Sequence, residues 1–145
     1  MLYLGNISKI LALDFGLKRT GVAIRDDAKM FAFGLETIAS NLLMERLETL
    51  IPKEKVEELV IGLPKQLNNE DAHITQNVYL LKEALENKFT GVKIALIDER
   101  FTSKMASAAM HTAGANRKQK REKGLLDKVS ATIILQSYMD QRGFV

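Results

Sequence analysis

Lys9 to Phe15 reads KILALDF and Thr20 to Ile24 reads TGVAI, two short β-prone runs separated by Gly16, Leu17 and the cations Lys18 and Arg19. Runs of this kind joined through a glycine turn predict an antiparallel hairpin. The first run is apolar up to its end, where it delivers the carboxylate of Asp14. A carboxylate there costs free energy unless a metal ion or a nearby cation offsets its desolvation. The alternative is a turn aspartate that accepts hydrogen bonds from the backbone of Gly16 or Leu17.

Outward from the hairpin, Asp26 and Asp27 make a second turn, and Met30 to Thr37 can supply a third strand. Asn41 is placed to cap a helix that runs to about Pro52, with Leu42, Leu43, Leu47 and Leu50 as its apolar stripe and Pro52 as its terminator or the start of a turn. Val56 to Leu63 ends in the continuous run LVIGL, the pattern of a strand buried on both faces. Asn68 to His73 is polar and turn-like, after which Ile74, Val78, Leu81 and Leu85 recur at helical spacing up to Asn87. Val92 to Ile97 is another buried strand, with Asp98, Glu99 and Arg100 at its C-terminal end. Thr102 or Ser103 can cap a helix through about Thr112, Gly114 to Gly124 is a basic loop, and Leu125 to Gln141 is a final amphipathic helix. Three early strands followed by alternating helix and strand predict an α/β fold, a mixed sheet with helices packed on it. At 145 residues, with neither an internal repeat nor a low-complexity linker, a single domain over residues 1–145 is expected.

Composition removes several chemistries. The chain has no cysteine, which excludes disulfides, thiolate metal sites and Cys nucleophiles. It is 46% hydrophobic and 27% charged, ordinary values for a globular protein. No stretch is long and apolar enough to cross a bilayer, so a cytoplasmic location without a membrane partner is expected. The net charge of +3 is unevenly spread: RKQKREK, residues 117 to 123, carries five cations and one anion, and subtracting that local +4 from +3 leaves −1 for the remainder.

Three acidic positions close buried elements. Asp98 and Glu99 end a strand, where open α/β sheets place binding groups. Alternation sends them to opposite faces, so one of the two can share the Asp14 side while the other pairs with Arg100 or caps the next helix. Asp127 starts the last helix, in line with Ser130, Ala131, Ile134, Leu135 and Tyr138, and therefore points along the buried face; the small Ser130 and Ala131 leave room for a backbone or an ion. Its plainer role is a helix-starting aspartate that favours the N-terminal dipole. Together the carboxylates suit Mg²⁺ or Mn²⁺, hard ions that can activate water in phosphodiester hydrolysis. His73 and His111 have no partner at ligand or triad spacing and read as surface or packing residues. Neither G-x-S-x-G nor a P-loop is present. Lys18 and Arg19, at the hairpin tip, can reach a phosphate backbone or stand as solvated turn charge. Arg117, Lys118, Lys120, Arg121 and Lys123 offer an electrostatic hold on a polyanion without sequence readout, or a solvated surface.

Taken together, LALDFGLKRTGVA (Leu11 to Ala23), VIGLP (Val60 to Pro64), IDERFTS (Ile97 to Ser103) and KGLLDKVSATIILQSYMD (Lys123 to Asp140) resemble the YqgF/RuvX family of Holliday junction resolvases, a family also associated with maturation of the pre-16S rRNA 5′ end. The resemblance spans nearly the whole chain in family order. It implies a ribonuclease H-like fold, a mixed five-stranded sheet with helices on both faces. It also implies that Asp14, Glu99 and Asp127 are the catalytic, metal-binding carboxylates, with Asp98 a supporting or alternative ligand. By the same analogy Gly16, Lys18, Arg19 and Gly21 shape the hairpin and its phosphate contacts. Two places depart from the family pattern: Asn69-Glu70-Asp71-Ala72 stands where an Asp-Gly turn is usual, and Met1 to Ser8 precede the usual start.

The leading expectation is a metal-dependent endonuclease acting on an rRNA precursor or branched DNA, as a monomer or homodimer, with ribosome association in the first case. A second class is a ribosome-associated RNA-binding assembly factor without turnover. A third, an actin-like or sugar-kinase-like nucleotide binder, ranks last because the chain has no second lobe to enclose ATP.

Overall fold

The computed structural model describes residues 9–26, 31–64, 69–98 and 123–141. Glu99, Arg117, Lys118, Lys120 and Arg121 lie outside the described residues, as do residues 1–8, Arg100, His111 and the helix expected after Thr102.

Five strands, β1 (Lys9–Phe15), β2 (Arg19–Asp26), β3 (Phe31–Ala39), β4 (Val56–Leu63) and β5 (Lys93–Asp98), form one mixed sheet in the order β3-β2-β1-β4-β5. The KILALDF and TGVAI runs pair as the antiparallel hairpin, Leu11 opposite Ile24 and Phe15 opposite Thr20. β3 pairs antiparallel with β2, while β4 pairs parallel with β1 and with β5. β3 continues two residues beyond the expected Thr37. Its register slips where Val22 faces Glu36 but Ala23 faces Gly34, which leaves Leu35 as an extra residue of the kind that bends a strand.

Helix α1 (Leu43–Glu54) follows a 3-10 turn, Ser40–Leu42. Asn41 does not cap it: Leu42 is the N-cap, and no side-chain cap bond forms. Pro52 does not end it either. It forfeits one backbone hydrogen bond, yet the helix runs two residues further and closes at Lys55, whose left-handed backbone (φ 55°) directs its N–H to the carbonyls of Ile51 and Pro52. Helix α2 (Asn69–Lys88) starts well before the apolar stripe, so His73 and the segment read as a turn are helical. An apolar stripe marks where a helix packs, and NED offers none for periodicity to detect. Helix α3 (Lys123–Gln141) likewise takes in Lys123 and Gly124, which had read as loop.

Alternation along the strands sorts side chains into two cores. Leu11, Leu13, Val22, Ile24, Leu59 and Ile61 pack under α1 and α2, against Leu43, Leu47, Leu50, Val78 and Leu85. Ile10, Ala12, Ala23, Ala32, Val60 and Ile97 pack under α3, against Ala131, Ile134, Leu135, Tyr138 and Met139. The buried face of α3 is the one the 3-and-4 spacing predicted, and the helices cover both faces of the sheet. In the second core the Tyr138 hydroxyl donates to buried Glu58 Oε2 at 2.8 Å. Outside the cores, Arg46 of α1 clasps Glu36 of β3 through Nε–Oε1 at 2.6 Å and Nη2–Oε2 at 3.2 Å. Hydrogen bonding to Glu36, then Coulombic attraction, keeps that guanidinium protonated above its already high range.

Candidate active site

Asp14 follows Ile10 and Ala12 on the alternate positions of β1, so it belongs to the face that α3 covers. It stands half-buried at the C-terminal end of the strand, opposite Gly21 of β2. Gly21 is the seat of α3. A Cβ built on it would lie 2.0 Å from the Asp127 carbonyl oxygen, 2.4 Å from the carbonyl carbon and 3.0 Å from the Asp127 Cβ. Only a residue without a side chain lets the helix backbone come this close to the strand. Contact on one glycine thus sets two carboxylate residues beside each other in the fold: Asp14 through strand pairing and Asp127 through helix packing.

Small residues continue the seat. Ala12 and Ala23 lie on the same face, and a Cβ on Gly34 would come within 3.2 Å of the Lys128 Cβ and 3.4 Å of the Thr132 hydroxyl. In the sequence the small Ser130 and Ala131 mark the helix side of this seat, while Gly21 stands out only through the family motif. The signal on the sheet side was nevertheless there: large and small residues alternate in Leu11-Ala12-Leu13 and in Gly21-Val22-Ala23-Ile24, with the small ones on one face.

Arg19, two residues before Gly21, shares its face. Its Nε donates to Asp127 Oδ2 at 3.3 Å, with the two side chains 38% and 22% exposed. The turn that carries Arg19 is fastened from the far end of β3. The Ser40 N–H donates to the Lys18 carbonyl at 2.9 Å, and the Ser40 hydroxyl donates to the Gly16 carbonyl at 2.6 Å. With its one proton so used, Ser40 Oγ accepts from the fully buried Thr20 hydroxyl at 2.8 Å. No sequence signal marks this clasp, because Ser40 is twenty residues from Thr20 and lies in another element. Lys18 and Leu17 are exposed at the tip of the turn.

Asp98 ends β5 on the alternate positions of Ile94 and Leu96, which pack toward α1 and α2; it is exposed and belongs to the face opposite Asp14. Among the described residues, no three acidic or histidine side chains gather into a metal site. The described part of the site therefore consists of two carboxylates at the β1–β2–α3 junction, a guanidinium against one of them and a fastened cationic turn. Such a set can hold a positive ion and meet a phosphodiester.

Residues 8–141 match the family described as RuvX, Holliday junction resolvase. The candidate pre-16S rRNA nuclease of Bacteroides thetaiotaomicron is 40% identical over 138 residues, covering 95% of this chain and 100% of the relative. That of Flavobacterium psychrophilum is 44% identical over 134 residues, covering 92% and 98%. Among solved structures, the fold resembles Thermus thermophilus RuvC in complex with a Holliday junction substrate (TM-score 0.58, 14% identity, 95% of this chain and 98% of that one). It also resembles the fowlpox virus Holliday junction resolvase (TM-score 0.55, 13% identity, 92% and 99%).

Proposed function

The chain belongs to the RuvX family of Holliday junction resolvases and is a nuclease of ribonuclease H-like fold; from that premise we propose a metal-dependent endonuclease that hydrolyses phosphodiester bonds in structured nucleic acid. The substrate is precursor 16S rRNA, a four-way DNA junction, or both, as the names of the relatives suggest; in the rRNA the cut falls in the 5′ region. The observation that carries the reading is the glycine seat, which sets Asp127 beside the strand pair that holds Asp14.

The donors suit a hard divalent ion. Asp14 and Asp127 offer oxygen ligands in a chain without cysteine, and a cation, the Arg19 guanidinium, already sits against Asp127. Asp98 belongs to the other face, and Glu99 is kept as the third carboxylate on the family resemblance. When bound, Mg²⁺ or Mn²⁺ lowers the pKa of a coordinated water and stabilises charge on the leaving oxygen. Lys18 and Arg19 hold the phosphate of the scissile nucleotide. Arg117, Lys118, Lys120, Arg121 and Lys123 hold the flanking backbone, giving binding that weakens as salt rises. The enzyme works in the cytoplasm, with the ribosomal precursor as its associate in the RNA case, as a monomer or homodimer. No helix among the described residues is long and apolar enough to cross a membrane.

The test is cleavage of a labelled pre-16S 5′-leader RNA and a labelled four-way junction, with Mg²⁺ or Mn²⁺, by the wild type and by Asp14→Asn. The wild type should cut at least one substrate. Asp14→Asn should be slower by at least about a hundredfold, since metal-derived stabilisation is worth several kcal/mol. Equal cleavage by the variant removes Asp14 from the site. If neither substrate is cut while the RNA is still bound, the chain is an RNA-binding assembly factor.

A further inference from the structure

We propose that Arg19 is the resident counter-ion of Asp127 and that it sets the affinity of the site for its divalent ion. The guanidinium holds the carboxylate while no ion is bound and yields it when one binds. This rests on the metal-dependent reading above and adds to it a role for one residue that the reading assigned only to phosphate.

The pairing is dictated by backbone positions. Arg19 and Gly21 lie on the same face of β2, and Asp127 is seated on Gly21, so Arg19 and Asp127 meet at the same end of the sheet. Their contact is a yielding one. It spans 3.3 Å from Nε to Oδ2, whereas strong charge-assisted contacts of this type lie at about 2.7–2.9 Å. The Arg46–Glu36 pair on the same protein achieves 2.6 Å and adds a second bond. With 38% of the Arg19 side chain exposed, the guanidinium has solvent on one side into which it can turn.

The Ser40 bonds to Gly16, Lys18 and Thr20 keep the backbone around Arg19 in place. Release of Asp127 is therefore a side-chain rotation and leaves the turn intact. An ion held by Asp14 and Asp127 would carry two positive charges a few ångströms from the guanidinium. Repulsion of that kind in a partly solvated site changes affinity by roughly tenfold. A phosphate arriving at the site gives the displaced guanidinium a new partner. The ion and the nucleic acid then favour each other's binding, as linkage requires.

The experiment is calorimetric titration of Mn²⁺, without nucleic acid, into the wild type and into Arg19→Gln, Arg19→Met, Arg19→Lys and Asp14→Asn, each first checked for folding by circular dichroism. Arg19→Gln and Arg19→Met should bind Mn²⁺ roughly tenfold more tightly than the wild type. Arg19→Lys, which keeps the charge, should stay within about threefold of it. Asp14→Asn should lose binding. Arg19→Gln and Arg19→Met binding no more tightly, while the wild type binds in an Asp14-dependent way, overturns the counter-ion role and leaves the metal reading standing. No Asp14-dependent binding by the wild type overturns the metal reading itself and the inference with it.

Discussion

The two faces of one sheet are built from different material. Under α1 and α2 the strands present Leu11, Leu13, Val22, Ile24, Leu59 and Ile61, all large and all but excluded from solvent. Under α3 the sheet presents the large Ile10, Val60 and Ile97 as well, but β1 and β2 also set Ala12, Gly21 and Ala23 there, with Gly34 beside them on β3. The first face fills space with side chains. The second withholds them at these positions so that a helix backbone can come down onto β2 opposite Asp14. Both faces thus carry stability but only the α3 face carries the chemistry, and a substitution on the α1–α2 face should leave the chemistry largely untouched.

The largest effect on folding is expected from Leu59→Ala. Leu59 is fully buried between β1, β5 and the helices of its face, and a truncation of this kind in a packed core costs about 2–5 kcal/mol. Urea denaturation should show that loss, while cleavage per folded molecule and Mn²⁺ affinity stay near wild type. A parallel fall in activity per folded molecule would break the division between the faces.

Gly21→Ala should strike the chemistry harder than the stability. The added methyl would fall 2.0 Å from the Asp127 carbonyl oxygen, a backbone atom that can give way only if α3 lifts. Overpacking of a well-filled contact costs about 1–3 kcal/mol, less than the Leu59 truncation. The displaced helix start takes Asp127 away from Asp14, so cleavage should fall by at least about a hundredfold even where the variant is fully folded. Activity within a few-fold of wild type would mean that Asp127 is not needed where Gly21 seats it.

The sequence was most legible where one residue's character reports its own surroundings. The hairpin, the buried β4 and the sided stripe of α3 from Ser130 to Tyr138 follow from hydrophobic spacing, and the structure has them in those places. Asp14 announced itself as a carboxylate closing an apolar run. Features that depend on a distant partner were hidden. Ser40 holds the turn at Gly16 and Lys18 across twenty-odd residues, and Arg19 meets Asp127 across 108. Helix ends failed for a local reason: Pro52 reads as a terminator or the start of a turn, whereas the helix runs two residues past the hydrogen bond it forfeits, and the real stop is the left-handed Lys55. The strand alternation that gives Asp98 to the α1–α2 face was foreseen as a choice between two carboxylates, but its sense needed the packing of Ile94 and Leu96.

Tyr138→Phe sharpens the comparison within the α3 face itself. Tyr138 is eleven residues beyond Asp127, about 16 Å along the helix at 1.5 Å per residue, and its hydroxyl donates to Glu58, which is 8% exposed. Removing the hydroxyl takes a hydrogen bond from a buried carboxylate while keeping the ring, so a loss of about 1–2 kcal/mol is expected, the smallest of the three. Glu58 lies toward the start of β4 and pairs with Ile10, at the opposite end of β1 from Asp14. If the glycine seat alone fixes the start of α3, a disturbance at Tyr138 stays local and cleavage per folded molecule should match wild type. If cleavage falls with it, the helix transmits the change as a rigid rod. The position of Asp127 would then be set jointly by the seat at Gly21 and the anchor at Glu58.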